Sequence, residues 1–174
     1  MIIETPRLLL REMTQDDYAS LHAILTDAET MRHYPRPYDD AGVQRWLDWT
    51  FDNYRKHGFG LWAVTLKETG QFIGDCGITM QPINGQWLPE IGYHLNKHYW
   101  RRGYASEAAR ACIRVAFERF GFPAVYSYMA STNEPSWRTA MKNGMTFVEE
   151  YLDEGGVSHR VYRISRETWE KNNK

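Results

Sequence analysis

A short stretch between residues 99 and 107 combines positive charge, a glycine and the start of a helix. Arg101 and Arg102 precede Gly103, which has no Cβ and lets the backbone approach a ligand closely. The amides of a first helical turn have no partner within the helix, so they can bind phosphate oxygens. Together these features predict a site for a pyrophosphate group. The alternative is a solvated turn in which the glycine only lets the chain bend.

A strand and a helix must hold this turn in place. Residues 90–95 alternate and are rich in β-formers, which predicts a strand. Ser106 and Glu107 follow the turn, where a hydroxyl and a carboxylate suit the free amides and the positive end of a helix dipole. The apolar residues that follow lie on one face of a helix that ends near Gly121. They are Ala105, Ala108, Ala109, Cys112, Val115, Ala116 and Phe120.

The rest of the chain predicts further helices and strands. Residues 81–88 predict a polar loop, and residues from 168 onward predict a frayed or short helical tail. Helices are expected over residues 14–25, 39–58 and 133–144. Strands are expected over residues 8–11, 59–67, 71–80, 124–130, 148–152 and 157–165.

Composition limits the classes of protein. With 174 residues, of which 43% are hydrophobic and 14% aromatic, the chain fits one domain with a real core. Its 21 basic and 22 acidic residues argue against a nucleic-acid partner. Cys76 and Cys112 lack metal-ligand spacing, so we expect buried free thiols, a reducing compartment and no metal. No signal peptide or apolar run of membrane length is present, so we expect a cytoplasmic protein without membrane contact.

The segment from Tyr99 to Ala108 (YWRRGYASEA) resembles the acetyl-CoA pyrophosphate loop of the GCN5-related N-acetyltransferases, the GNAT superfamily. Gly103 and Ala105 stand at the fourth and sixth places of that loop. Trp100 departs from the Gln or Arg of the broad family but is similar to the branch of ribosomal-protein N-terminal (Rim-type) acetyltransferases. The resemblance covers nearly the whole chain.

This resemblance implies an α/β (α+β) fold with one N-acetyltransferase domain over residues 1–174. The GNAT fold has a central twisted mixed sheet of about seven strands, with helices on both faces. Its fourth and fifth strands, here residues 90–95 and 124–130, splay apart. The pantetheine arm of acetyl-CoA lies in that gap and pairs with exposed backbone groups, as an added strand would.

The resemblance also implies which residues bind acetyl-CoA. Backbone groups of Tyr93, His94 and Leu95 would hold the pantetheine arm, and Asn133 would bond it from the far side of the gap. An alternative role for Asn133 is capping of the short helix that follows. The pyrophosphate would be held by the loop residues Arg101, Arg102, Gly103, Tyr104, Ala105 and Ser106.

The implied reaction is attack of a neutral amine on the acetyl thioester in a ternary complex. Glu90 is our first candidate for the base, because it shares strand parity with His94. The alternative is a solvent-facing or salt-bridged glutamate; Asp75 and His94 are further candidates. Ser136 stands where the Rim-type branch has a Ser proposed to protonate the thiolate, and first-turn capping is its alternative role. Many family members have a Tyr at the position of Ala140, so that acid is missing here.

The helical pair near the N-terminus forms a wall of the acceptor site in this family. Tyr34 could line that site, together with Glu90, and so could Tyr38, Trp46 and Trp49. The alternative, which we favour for Trp46, is that most of these aromatic residues pack in the core or the loop. The acceptor would be a protein N-terminus or a small amine, and surface aromatics would allow a homodimer. The competing interpretation is a non-catalytic module that binds acyl-CoA as a sensor or regulator.

Overall fold

The computed structural model describes residues 1–173 and is built on one eight-stranded sheet. The strands are β1 (Ile2–Glu4), β2 (Leu8–Arg11), β3 (Leu61–Leu66), β4 (Phe72–Ile83), β5 (Gln86–Leu95), β6 (Ala124–Ala130), β7 (Thr146–Leu152) and β8 (Ser158–Ser165). The helices are α1 (Tyr18–Leu25), α2 (Asp40–His57), α3 (Tyr104–Glu118), α4 (Glu134–Lys142) and α5 (Arg166–Asn172).

The sheet has the order β1-β2-β3-β4-β5-β6-β8-β7 and is mixed. All neighbouring strands are antiparallel except β5 and β6, which are parallel. The mixed sheet predicted above is confirmed. It has one strand more than the seven expected, because residues 2–4 pair with β2 at the edge.

Helices cover both faces of the sheet, as predicted. Side chains alternate across a strand, so the two faces of β3 enter different clusters. Trp62 and Val64 pack in the cluster that contains the apolar side of α3. Leu61 and Ala63 pack in the cluster that contains α1 and α2. Both faces of the central strands are therefore buried, which explains the continuous apolar run over β3.

The parallel strands β5 and β6 are paired over a short stretch only. Within residues 1–173, Glu90 and Tyr126 are their one registered pair. The Ser127 hydroxyl then donates to the Ile91 carbonyl at 2.8 Å. Beyond that bond no further pairing joins the two strands in the described chain. The predicted gap between residues 90–95 and 124–130 is present.

The predicted polar loop over residues 81–88 is wrong. Strand β4 continues to Ile83 and β5 begins at Gln86, so the two form one long hairpin. Asn84 and Gly85 make its turn with φ values of 44° and 77°. Two consecutive positive φ values are the signature of a tight hairpin turn, for which Asn-Gly is a favoured pair.

Helix α2 begins and ends at the capping residues that the sequence predicted. The Asp39 side chain accepts the Gly42 amide at the start of α2, and Gly58 closes that helix with φ of 73°. The C-terminal tail forms α5, which begins at Arg166, two residues before the predicted tail.

Cys76 and Cys112 are buried free thiols, as expected, with their sulfurs 3.6 Å apart.

Within residues 1–173, no helix combines the length and the apolar character needed to cross a bilayer. No three His, Cys, Asp or Glu side chains in this range are grouped so that they could hold a metal ion.

Candidate active site

Glu90 lies where β5 and β6 begin to part, and it is half-buried. The Thr79 hydroxyl, directly opposite on β4, donates to Glu90 Oε2 at 3.1 Å. Burial raises the pKa of Glu90 to about 7, although the Thr79 hydrogen bond and the nearby His94 act to lower it. A carboxyl group that titrates near neutral pH can both take and release a proton under physiological conditions.

His94 and Asp75 form a second polar pair beside Glu90. They lie opposite each other on β5 and β4, and Asp75 is fully buried. Asp75 Oδ1 accepts from the His94 ring nitrogen Nδ1 at 2.9 Å and from the His94 amide at 3.1 Å. Burial acts to lower the pKa of His94, but the charge and hydrogen bond of Asp75 outweigh it, so the pKa is raised. The pair is therefore held in one arrangement by both backbone and side chain.

Close packing of the hairpin depends on Gly74. A Cβ at Gly74 would lie 2.1 Å from the His94 carbonyl oxygen, which is part of the backbone and has no way to yield. Only glycine allows this approach. The two strands can thus bring the Asp75 and His94 side chains within hydrogen-bond distance.

Tyr34 reaches the same cluster from the loop between α1 and α2. Its hydroxyl lies 2.7 Å from His94 Nε2. Tyr34 is 40% exposed as a whole residue. Burial of its hydroxyl, with the charges of Glu90 and Asp75, raises the pKa of Tyr34. The hydroxyl therefore stays neutral at ordinary pH.

An aromatic wall closes the other side of His94. The ring of Trp46 on α2 meets the His94 ring edge-on, with 5.3 Å between centroids. Tyr38 and Trp49 pack against Trp46 in turn. The three rings of Tyr38, Trp46 and Trp49 line a surface cavity of about 250 Å³. Gly42, Arg45 and Gln81 complete its lining.

The turn before α3 has a backbone shape suited to an anion. Arg101 has φ of 61° and Gly103 has φ of 80°, so left-handed residues alternate with ordinary ones. Such alternation points successive amides into one concavity. A left-handed residue other than glycine costs roughly 1–2 kcal/mol, so Arg101 holds this shape at an energetic cost.

Side chains from elsewhere hold that turn. Arg7 donates from Nη1 to the Arg102 carbonyl at 2.9 Å and from Nε to Glu107 Oε2 at 2.7 Å. Its guanidinium also lies 4.4 Å from the centre of the Tyr104 ring. The Ser106 hydroxyl is buried and donates to Asn143 Oδ1 at 2.8 Å, which ties α3 to the end of α4. Ser106 thus presents its backbone amide, not its hydroxyl, to the turn.

The open edge of β5 has few free backbone groups. The His94 amide binds Asp75, and the Leu95 carbonyl accepts from the indole nitrogen of Trp100 at 2.8 Å. Since backbone groups alternate along a strand, Tyr93 shares the edge of Ile91 and faces the gap. Among the three residues predicted to hold pantetheine, Tyr93 therefore leaves both its amide and its carbonyl on that edge.

Asn133 and Ser136 lie at the start of α4. Asn133 Oδ1 accepts the Ser136 amide at 3.3 Å, so the capping role is present. The Tyr93 hydroxyl donates to the Ser136 carbonyl at 2.9 Å and lies 3.3 Å from the Ser136 hydroxyl. Tyr93 and Glu90 have opposite parity on β5, so Ser136 belongs to the face away from Glu90.

Sequence reasoning missed the chain of contacts that joins Tyr34, His94 and Asp75. It also missed the support that Arg7 and Glu107 give to the turn. One signal was available, because Asp75 is a lone charged residue inside an otherwise apolar strand. A buried charge without a partner is costly, so its position implied a partner on a neighbouring strand.

Most of the chain matches a known protein family. Residues 7–146 match the family model described as an acetyltransferase (GNAT) domain. The chain is 37% identical to the uncharacterized protein YkkB of Bacillus subtilis, over 82% of this chain and 84% of that protein. Further Bacillus subtilis relatives are named as uncharacterized N-acetyltransferases.

Solved structures show the same architecture. An acetyltransferase from Agrobacterium tumefaciens is similar at a TM-score of 0.84 and 27% identity, with 95% of each chain covered. The ribosomal L7/L12 alpha-N-protein acetyltransferase RimL, in complex with coenzyme A, is similar at a TM-score of 0.77 and 17% identity. That match covers 95% of this chain and 98% of RimL. At this identity the likeness to RimL concerns the fold alone.

Proposed function

Because the chain belongs to the GNAT acetyltransferase family and is an N-acetyltransferase, we propose that it moves an acetyl group from acetyl-CoA to a primary amine in a ternary complex. One observation carries the proposal. Strand β5 joins an acid–base cluster, an open backbone edge and the anion-binding turn in a single run of chain. These are the three parts that an acetyl-CoA-dependent transfer to nitrogen needs.

The residues around the gap fit acetyl-CoA. Amides near Gly103, with Arg101 and Arg102 beside them, suit a pyrophosphate. The Tyr93 edge suits the amides of the pantetheine arm, because it offers both a donor and an acceptor. The Asn133 side chain uses its oxygen as a cap, which leaves its NH₂ group available as a donor.

Glu90 is the group proposed to take the first proton from the amine. An alkylammonium has a pKa of about 10 and cannot attack a thioester until it loses a proton. A carboxylate whose pKa is raised to about 7 by burial is a stronger base than an exposed one. It also attracts a cation to the cluster, which favours a cationic acceptor.

Departure of the thiolate demands little help. A thiol has a pKa of about 8.5, so the leaving group is stable enough to depart without a strong acid. Ser136 is the proposed donor, and its hydroxyl lies 3.3 Å from the Tyr93 hydroxyl. The acceptor itself would lie against Tyr34 and the aromatic cavity of Tyr38, Trp46 and Trp49, which suits a primary amine next to an apolar or planar group.

Two measurements test the proposal together. Calorimetric titration measures binding of acetyl-CoA and CoA, and a thiol-release assay measures turnover over a panel of small amines and N-terminal peptides. We expect binding of both nucleotides and turnover with at least one cationic amine. Absence of binding would refute the proposal.

The competing interpretation, a non-catalytic acyl-CoA sensor, rests on Ala140, a buried alanine at the position where a tyrosine acid is common in the family. The relatives named as N-acetyltransferases favour the enzyme. Acetyl-CoA binding with no thiol release above the uncatalysed rate, over the whole panel, would support the sensor.

A further inference from the structure

A continuous chain of hydrogen bonds links Tyr34, a residue with exposed surface, to the buried carboxylate of Asp75. Tyr34 Oη lies 2.7 Å from His94 Nε2, and His94 Nδ1 lies 2.9 Å from Asp75 Oδ1. Tyr34 is 40% exposed, whereas the Asp75 side chain has no exposed area. The three residues come from a loop and from two paired strands, so nothing in local sequence brings them together.

The direction of the protons follows from the chemistry of the groups. An ionised carboxylate only accepts hydrogen bonds. Nδ1 of His94 therefore carries a proton and donates a hydrogen bond to Asp75. In the neutral ring Nε2 is then an acceptor, and the Tyr34 hydroxyl donates to it. The lone pairs of the Tyr34 oxygen remain free to accept from a group outside the chain.

The surroundings favour a positive charge on the ring of His94. The titratable groups around Tyr34 and His94 come from four elements. They are Asp75 from β4, Glu90 from β5, Tyr38 from the loop before α2, and Tyr128 from β6. Helix α2 contributes the uncharged Trp46. Asp75 Oδ2 is buried and has no partner in the described chain, so its charge is not consumed by another donor.

We propose that Tyr34, His94 and Asp75 form a proton relay that accepts the proton the amine nitrogen loses as it attacks the thioester. The inference rests on the function proposed above. In the relay step one nitrogen–hydrogen bond of the acceptor breaks and an Oη–H bond forms at Tyr34. The original Oη–H bond of Tyr34 breaks and an Nε2–H bond forms at His94. The resulting imidazolium lies beside the Asp75 carboxylate.

Two proton acceptors are needed because an ammonium loses two protons when it becomes an amide nitrogen. Glu90 takes the first, before attack, and the relay takes the second. Tyr34 is the member that touches the acceptor. His94 and Asp75 act through Tyr34 and are positioning residues.

The decisive experiment compares wild type with Tyr34→Phe from about pH 5.5 to about pH 9, a range that spans the titration of histidine. The ratio of the two kcat/KM values cancels the ionisation of the amine. We expect a ratio on the order of 10²-fold at high pH, the usual size of a general-base effect. The ratio should fall towards one at low pH, where His94 is protonated and the wild-type relay is blocked.

A matched control removes a tyrosine hydroxyl elsewhere. Tyr18 donates to the Asp40 carbonyl at 3.1 Å, outside the cluster, so Tyr18→Phe should leave kcat/KM unchanged at every pH. The affinity for acetyl-CoA, measured by calorimetry, should be the same in both variants. A second variant, His94→Gln, should lose the relay as well. Its kcat/KM should therefore match that of Tyr34→Phe across the pH range.

The outcomes separate this inference from the function on which it rests. If wild type turns over and the ratio to Tyr34→Phe is near one, or is large but independent of pH, the relay is overturned while the transferase stands. If the ratio of kcat/KM between His94→Gln and Tyr34→Phe changes with pH as the wild-type ratio does, His94 is not part of the relay and the proposal is again overturned. If wild type turns over no amine, the proposed function fails and the relay fails with it.

Discussion

At the scale of single residues, the cluster shows how the partner of a carboxylate decides its role. Asp75 is engaged by the ring and the amide of His94, so its charge is committed to one neighbour. Glu90 receives a single hydroxyl, and burial raises its pKa to about 7. The committed carboxylate is suited to holding a charge, and the uncommitted one is suited to exchanging a proton.

Glu90→Gln tests this division directly. The variant keeps the shape and the Thr79 contact but is unable to accept a proton, so we expect kcat to fall by about 10²-fold or more. In wild type, kcat should decline as pH falls through about 7, because the carboxylate becomes protonated. Acetyl-CoA affinity should not change. Steady-state kinetics with saturating acetyl-CoA provide the measurement.

Glu118→Gln, at the exposed end of α3, is the control for Glu90→Gln and should leave kcat intact. If Glu90→Gln kept more than half of the wild-type kcat at every pH, Glu90 would not be the base.

At the scale of elements, the start of α3 depends on its backbone shape and on the absence of a side chain. Gly103→Glu places a carboxylate beside the turn. The Cβ of the new side chain would lie 3.4 Å from Nη2 of Arg7. We expect loss of measurable CoA binding, because the new charge repels a pyrophosphate. The left-handed backbone adds strain of roughly 1–2 kcal/mol.

The other end of α3 supplies the control for that strain. Gly121 has φ of 69°, close to that of Gly103, and a Cβ there meets nothing within 4 Å. Gly121→Glu should therefore destabilise the protein by a similar amount and leave CoA affinity unchanged. Equal loss of CoA binding in both variants would mean that strain, not charge at the turn, is responsible.

Asn133, at the start of α4, caps the helix and is also proposed to bind acetyl-CoA. Two variants separate these roles. Asn133→Ala removes the cap and should lower stability by about 1 kcal/mol. Asn133→Asp keeps an oxygen for the Ser136 amide but loses the NH₂ donor, so stability should be retained while acetyl-CoA affinity falls several-fold. Urea unfolding and calorimetry measure the two effects. Asn133→Asp with wild-type affinity would leave Asn133 with the capping role alone.

Elements whose cause is local were predictable from the sequence, and those set by distant contacts were not. The cap of α2 at Asp39, its end at Gly58 and the limits of β6 follow from neighbouring residues. The hairpin turn at Asn84 and Gly85 was misread, because polar residues around it hid the alternation of two strands. The contact of Tyr34 with His94 spans 60 residues and depends on how a proline-rich loop folds, which spacing along the chain does not encode.

At the scale of the whole molecule, the sheet divides the core in two and leaves its reactive groups at the one place where strands part. Both helix-covered faces are apolar, yet Glu90 and Asp75 lie within this frame. Burial of a carboxylate without a full set of partners costs stability. The burial of Glu90 therefore costs some stability and, under the proposed function, provides a proton acceptor near neutral pH.

The pH dependence of stability makes that cost measurable. The folded pKa of Glu90, about 7, lies above the ordinary 4.5, so the folded state holds an extra proton between these values. The contribution of Glu90 is present at low pH and is lost as pH rises through about 7. Relative to wild type, Glu90→Gln should be more stable above pH 7, on the order of 2 kcal/mol, and this gain should vanish near pH 4.5. Urea unfolding across this range measures the difference.

Asp17 provides a control of opposite sign for the same experiment. Burial acts to raise the pKa of Asp17, but paired hydrogen bonds from Arg11 and one from the Thr14 amide outweigh it, so the pKa is lowered. Its stabilising contribution is present above the unfolded pKa and is lost as pH falls. Asp17→Asn should therefore destabilise the protein at neutral pH and less so in acid. Because the two variants diverge in opposite directions, a general effect of pH on the fold is unable to mimic both. A Glu90→Gln variant that is destabilised equally at every pH would show that this carboxylate is not strained in the folded protein.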